Sequence, residues 1–227
     1  SMASFLPQRI LALASFGLVL VMNAAATALP LGGLSVGEVS RKYDTLFAPI
    51  DFTFGIWGLI YLGLAVYSFT QLTSNTPAGR LVTPWFILTN LLNGSWIIVW
   101  RLELLGLSSL ILFLLLFSLY KINRITTAKR SDIANVILAR LPFAIYFGWV
   151  TVATIANVSS MLVQLGFEKG FGLSAEAWTV AMLVIAVLIG SATALVNASP
   201  EYSLVLVWAF WGIYSRHVSE TEWNQQY

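Results

Sequence analysis

The sequence predicts an all-α protein: a polytopic bundle of seven helices in a membrane. Three observations predict it. Of the 227 residues, 58% are hydrophobic and only 10% are charged, with a mean hydropathy of +0.82; a soluble domain carries roughly 25% charged residues. The apolar residues fall into runs of about 17–25, the length that a bilayer core demands of a helix. Charges and clusters of glycine and proline lie in the connectors between those runs.

The first helix spans about Arg9 to Leu29. Small residues at Ala24–Ala28 imitate a signal-peptide cleavage region, but the apolar run exceeds a usual core of roughly 7–15 residues, so a retained helix is expected. Pro30 to Ala48 follows as a long connector with Gly32, Gly33, Gly37, Glu38, Arg41, Lys42 and Asp44. Its length exceeds what packing needs, so it is read either as a lid or as a plain exposed loop. The second helix runs through Phe47–Thr70, with Pro49 and Asp51 at its entrance. After a polar turn with Pro77 and Gly79, the third runs from Pro84 to Trp100 and carries Asn90, Asn93, Trp96 and Trp100. The turn Arg101–Gly106 sets the fourth helix, Leu107 to Ile122, antiparallel beside it. The fifth spans Ile137 to Leu165 with Pro142 in its first turns, and the sixth runs from Ala175 to Val196 after a glycine-rich loop. On the sixth, Ala186, Gly190 and Ala194 form a small-residue stripe suited to a close helix contact or a homodimer seam. The seventh runs from Pro200 to Arg216. The chain divides into a five-helix core, residues 1–165, and two additional helices with a short tail, residues 166–227.

Basic residues set the orientation. Arg9, Arg80, Lys121, Arg124, Lys129, Arg130 and Arg140 fall on one side; Arg41, Lys42, Arg101, Lys169 and Arg216 fall on the other. The cluster after the fourth helix places the first side, with the N-terminus, in the cytoplasm. The connector after the first helix then faces outward.

Three stretches carry the candidate site. In the second helix, Phe54, Trp57 and Tyr61 are spaced by three and four residues and stack along one face. Asp51 stands where a carboxylate can cap unpaired N–H groups and complement the helix dipole. Asn93, Trp96 and Trp100 line one face of the third helix, and Trp149, Ala153 and Asn157 one face of the fifth. Intramembrane asparagines are costly unless paired and face the bundle interior. The ligand-binding candidates are therefore Pro49, Asp51, Phe52, Phe54, Trp57, Tyr61, Asn93, Trp96, Trp100, Tyr146, Trp149 and Asn157. The same asparagines also read simply as interhelical hydrogen-bond partners. Trp85, Trp178 and Trp223 read as interfacial anchors, and Trp208 and Trp211 as packing or lipid-facing.

Composition narrows the chemistry. With no cysteine there is neither disulfide nor thiolate, and the single histidine, His217, makes no His cluster. No metal site and no conventional catalytic set is expected, because paired acid–base or nucleophile–base residues are missing. A net charge of +2 supports no nucleic-acid partner.

Leu92, Asn93 and Trp96, followed by Trp149, Ala153, Thr154 and Asn157, resemble motifs of the translocator protein family, the tryptophan-rich sensory proteins (TspO/MBR). The entry Pro49–Tyr61 is a looser match, with Phe52 where the family usually has tryptophan and a Phe52–Trp57 spacing one residue shorter. The resemblance covers residues 8–165; the family has five helices, and this chain continues with two more. Val158 to Lys169 lacks the tyrosine of the family's sterol-recognition pattern, whereas Leu116, Tyr120 and Arg124 satisfy its loose form.

The residues themselves call for a large, flat, apolar ligand; the resemblance implies a tetrapyrrole such as a porphyrin, then a sterol or other isoprenoid, held or transported in a Trp-lined cavity. No intrinsic cofactor is expected. The resemblance also implies an alternative, light-dependent breakdown of a bound porphyrin; a third reading is a sensory or scaffold role through partner proteins docked on the two added helices. Expected partners are membrane lipids, the hydrophobic ligand and a second copy of the chain. The expected location is integral to the bacterial cytoplasmic membrane.

Overall fold

The computed structural model describes residues 2–29, 33–45, 48, 55–73, 76–128, 136–167, 181, 185, 188, 190, 200–219 and 221–225. Among them every regular element is helical. The helices are α1 (Met2–Ala28), α2 (Val36–Lys42), α3 (Ile56–Thr70), α4 (Pro77–Arg101), α5 (Leu105–Thr127), α6 (Leu141–Gln164) and α7 (Pro200–Val218), with a π turn at Val136–Arg140 leading into α6. Phe5–Ala28, Ala78–Arg101, Leu105–Thr127 and Ile137–Gln164 are long and apolar enough to cross a bilayer, and Ile56–Thr70 is a shorter apolar helix. Leu59, Leu62, Val66 and Phe69 of α3 and Leu204, Val207, Phe210 and Trp211 of α7 face outward, as side chains in contact with lipid should. The protein is a helical membrane bundle.

Five helices close a ring in the spatial order α1, α4, α5, α6, α3 and back to α1, and α7 packs on the outside of α6. Close approaches fix the crossings. On α4, a Cβ at Gly94 would run into the thioether of Met22 on α1. A Cβ at Gly63 of α3 would come 3.0 Å from Pro142 of α6. Asn90 Nδ2 donates to Ser15 Oγ at 2.9 Å, joining α4 to α1. The core inside the ring is aromatic: Tyr67, Phe86 and Phe143 meet edge-on with centroids 4.9–5.8 Å apart.

Several helix limits differ from the sequence reading, for local reasons. α4 starts seven residues before Pro84, because Thr76 caps it through Gly79 N–H and Pro77 stands in the first turn, where its missing N–H costs nothing. Pro84 is carried inside the helix on an exposed face. α3 begins at Ile56 with Gly55 as N-cap; Asp51, the expected carboxylate cap, lies outside the described residues. The turn from α4 to α5 is tighter than the sequence reading had it, because Glu103 adopts a left-handed conformation (φ 60°) and Leu104 N–H returns to the Val99 carbonyl. A π turn leads into α6, and Pro142 stands in the first turn of that helix, where its missing N–H costs nothing.

The connector after α1 contains a further helix. α2 opens with a capping box, Ser35 Oγ accepting from Glu38 N–H and Glu38 Oε1 from Ser35 N–H. Of the two expected additional helices, the seventh is α7; of the sixth, residues 181, 185, 188 and 190 are helical, and Leu188 is buried in the core. The expected stripe partners Ala186 and Ala194 lie outside the described residues. α6 and α7 run parallel: Arg140 at the start of α6 pairs with Glu201 at the start of α7, at 3.2 Å. Further along α6, Thr151 Oγ1 meets the OH of Tyr202, the next residue of α7, at 2.9 Å.

α7 seats against Gly148, where a Cβ would lie 3.0 Å from Val205 Cβ and 3.2 Å from the Tyr202 carbonyl. Neither neighbour is the end of a flexible chain. Gly148→Ala is expected to cost about 1–3 kcal/mol by overpacking. Gly94→Ala should cost less, because Met22 can swing aside. Thermal denaturation in detergent ranks the two; equal losses would show that α7 gives way as easily as a methionine.

Candidate functional site

The ring brings the aromatic and amide groups of four helices to one centre. On α3, one turn apart, Trp57 and Tyr61 stack with centroids 5.5 Å apart and planes at 22°. Trp57 then meets two rings of α6 edge-on, Tyr146 at 6.1 Å and Trp149 at 6.3 Å. Such pairs favour the edge-to-face geometry through their quadrupoles. Trp149 and Tyr146 are fully enclosed, at 1% and 0% exposure, whereas Trp57 and Tyr61 are half-buried. The wall therefore has a fixed back and a reachable front.

Asn93 of α4 ties this wall together. Its Nδ2 donates to Tyr146 OH at 2.8 Å, and its Oδ1 lies 3.4 Å from Tyr61 OH. Tyr61 OH also reaches Asn23 Oδ1 of α1 at 3.3 Å. Asn157 of α6 centres a second cluster: its Oδ1 accepts from Trp96 Nε1 at 3.0 Å, and its Nδ2 donates to Ser108 Oγ at 3.0 Å and Ser109 Oγ at 2.8 Å on α5. Trp96 stacks on Trp100 at 5.6 Å and 23°, and Trp100 Nε1 donates to the Val36 carbonyl of α2. The amides thus act first as interhelical partners, and through those bonds they hold the indoles in place.

α2 lies across this end of the bundle. Val39 is buried between Trp100 and Leu105, with Trp96 beside them. Arg101 donates to the carbonyls of Leu29 and Leu34, at 2.6 and 2.8 Å, and so fastens both ends of the stretch leading into α2. Arg101 and Glu103 take separate partners, since Glu103 stands in a left-handed turn with its carboxylate on Lys42 and Tyr43. Glu103 Oε1 accepts from Lys42 Nζ at 2.6 Å and from Tyr43 OH at 2.7 Å. Those two bonds, Lys42 first, hold the Glu103 carboxyl below its ordinary 4.5, and the same carboxylate raises the Lys42 ammonium above 10.5.

Of the sequence-predicted residues, Trp57, Tyr61, Asn93, Tyr146 and Trp149 come together directly. Trp96, Trp100 and Asn157 form the adjoining cluster under α2. Pro49, Asp51, Phe52 and Phe54 lie outside the described residues. Asn23, Ser108 and Ser109 were missed. Asn23 carried a usable signal, an amide inside an apolar helix, while two serines in a leucine-rich helix carry none until their neighbours are known. Trp208 and Trp211 face outward as expected. Trp223, read as an anchor, lies over the Arg216 guanidinium at 4.5 Å.

Two outcomes follow. Asn157→Leu removes the acceptor of Trp96 and the donor to both serines; a loss of about 1–2 kcal/mol is expected, with a shift in tryptophan emission, and an unchanged melting point would show that Asn157 holds nothing. Because the Glu103 carboxyl is depressed, its contribution to holding α2 is present at neutral pH and fades as pH falls from 4.5 through its lowered value. Hydrogen exchange of α2 should quicken over that window while α6 stays protected.

A family model described as TSPO-like protein matches residues 9–225, which takes in the five-helix ring and α7. Comparison with curated proteins and with solved structures finds no match. A match running through nearly the whole chain, joined to an all-helical apolar bundle, places this chain in the family: it belongs to the TSPO-like proteins.

Proposed function

We propose that the protein binds a flat, apolar molecule at the aromatic wall inside the five-helix ring. A tetrapyrrole such as a porphyrin is the first choice, and an isoprenoid or sterol the second. The observation that carries this reading is the half-buried face of Trp57 and Tyr61, stacked together and backed by the enclosed Trp149 and Tyr146. Ring faces backed by other rings give a flat ligand large contact area at little entropic cost, since each indole is already immobilised. Asn93 and Asn23, both reached by Tyr61, place polar atoms at the wall's edge to orient a ligand's polar groups. In this reading the N-terminus is cytoplasmic, α2 faces the opposite side of the membrane, and the ligand is held or passed along rather than chemically changed.

Titration of the purified protein with protoporphyrin, followed by tryptophan quenching, tests the reading. The wild type should quench saturably. Trp57→Phe should weaken binding by about tenfold, the loss of one good aromatic contact, and Trp57→Phe/Trp149→Phe by more. Weak, unsaturable quenching in all three would remove the tetrapyrrole from this wall.

A further inference from the structure

Arg216 lies at the C-terminal end of α7, 2% exposed, and its guanidinium reaches back to the chain between α2 and α3. Nη1 donates to Asp44 Oδ1 at 2.7 Å and to the carbonyls of Thr45 and Ala48, at 3.4 and 3.2 Å. Nη2 donates to Asp44 Oδ2, which makes the pair bidentate. Nε donates to Glu222 Oε2 at 3.1 Å, and Trp223 covers the guanidinium face. Arg41, partly exposed, touches Asp44 and Glu222 from the water side at 4.0 and 3.6 Å.

α2 needs such a fastening. It has seven residues and buries one apolar side chain among its own, Val39, so apolar burial alone leaves it among the elements that open first. Trp100 and Arg101 reach the Val36 and Leu34 carbonyls, and Tyr43 joins Lys42 on Glu103; of these ties the Lys42–Glu103 ion pair is exposed and screened by solvent. The Arg216–Asp44 pair is enclosed, and removing either partner strands a charge out of water. α7 itself is held at its opposite end by Glu201, Tyr202 and Val205 against α6. It therefore spans the bundle as a strut with one end on α6 and the other on the chain that leaves α2.

We propose that Arg216 and Asp44 are positioning residues: α7 latches the α2 cap over the Trp96–Trp100 end of the site, and the latch sets how fast ligand enters and leaves. This rests on the ligand-binding reading above. Opening α2 uncovers Trp100 and, beside it, Trp96, the approach to the wall from this end. Because the latch touches no residue of the wall, releasing it speeds exchange in both directions and changes affinity little.

The chain contains no cysteine, which permits a test without any ligand. Val39→Cys, enclosed beneath α2, is labelled with a water-soluble maleimide alone and combined with Arg216→Gln or Asp44→Asn. Each latch variant should raise the labelling rate about tenfold, while Ala12→Cys on α1 stays unreactive. Asp44→Asn breaks the pair from the cap side with α7 intact, so it carries the test if Arg216→Gln fails to fold. Stopped-flow quenching with protoporphyrin should then show association and dissociation both faster by about tenfold, with Kd within about threefold of wild type. Unchanged Val39→Cys labelling in the folded latch variants overturns the latch. Faster labelling with unchanged exchange rates overturns the claim that α7 sets ligand traffic. Faster labelling in a protein that binds no porphyrin supports the latch and removes the tetrapyrrole instead.

Discussion

The carboxamide of Asn157 is the interaction on which the site depends. Inside a bilayer no water is at hand to satisfy an amide, so its donors and acceptor must find partners within the protein. Asn157 does this across three helices, taking the Trp96 indole from α4 and giving its hydrogens to two serines of α5. The same bonds set the rotation of α4 about its axis. With Trp96 held, Asn93 one turn earlier points at Tyr61 and Tyr146, and Trp100 one turn later stands beneath α2. A cost imposed by the solvent thus becomes a positioning device for aromatic rings.

Ion pairs tie both ends of the bundle. At the end where α6 and α7 begin, Arg140 pairs with Glu201, beside amide bonds such as Asn123 to the Phe143 carbonyl and Gln71 to the Arg9 carbonyl. At the α2 end the ties are ionic or charge-assisted: Arg101 to two carbonyls, Lys42 and Tyr43 to Glu103, Arg216 to Asp44. A helix of seven residues has little apolar area to bury, and charged ties hold it without adding apolar surface. The α7 helix reaches this end from outside the ring, through the pairing of Arg216 with Asp44.

Hydropathy, spacing and motif made much of the bundle legible. The helices of the five-helix ring stand where apolar runs placed them, and the amides at Asn93 and Asn157 turn inward because an unpaired amide in lipid is costly. Limits were legible only where a single residue decided them. Pro84 read as a helix start because proline favours first turns, yet Thr76 and Pro77 offered a better one earlier in the chain. α2 was hidden because a helix of seven residues has too few turns for periodicity to register, although its capping box was written in Ser35 and Glu38.

What the sequence by itself determined was the solvent of this protein, the number and spacing of its apolar segments, and which faces carry aromatics and amides; these follow from composition and helical period, which are local. What only the tertiary structure decided was who meets whom. Asp44 and Arg216 lie 172 positions apart and share no pattern, yet they form the enclosed ion pair that ties α7 to the chain after α2. Asn23 and Ser108 become site residues only because the ring closes in the order α1, α4, α5, α6, α3. Pairings of this kind depend on how helices are arranged around a common axis, and that arrangement is set by the sum of many contacts.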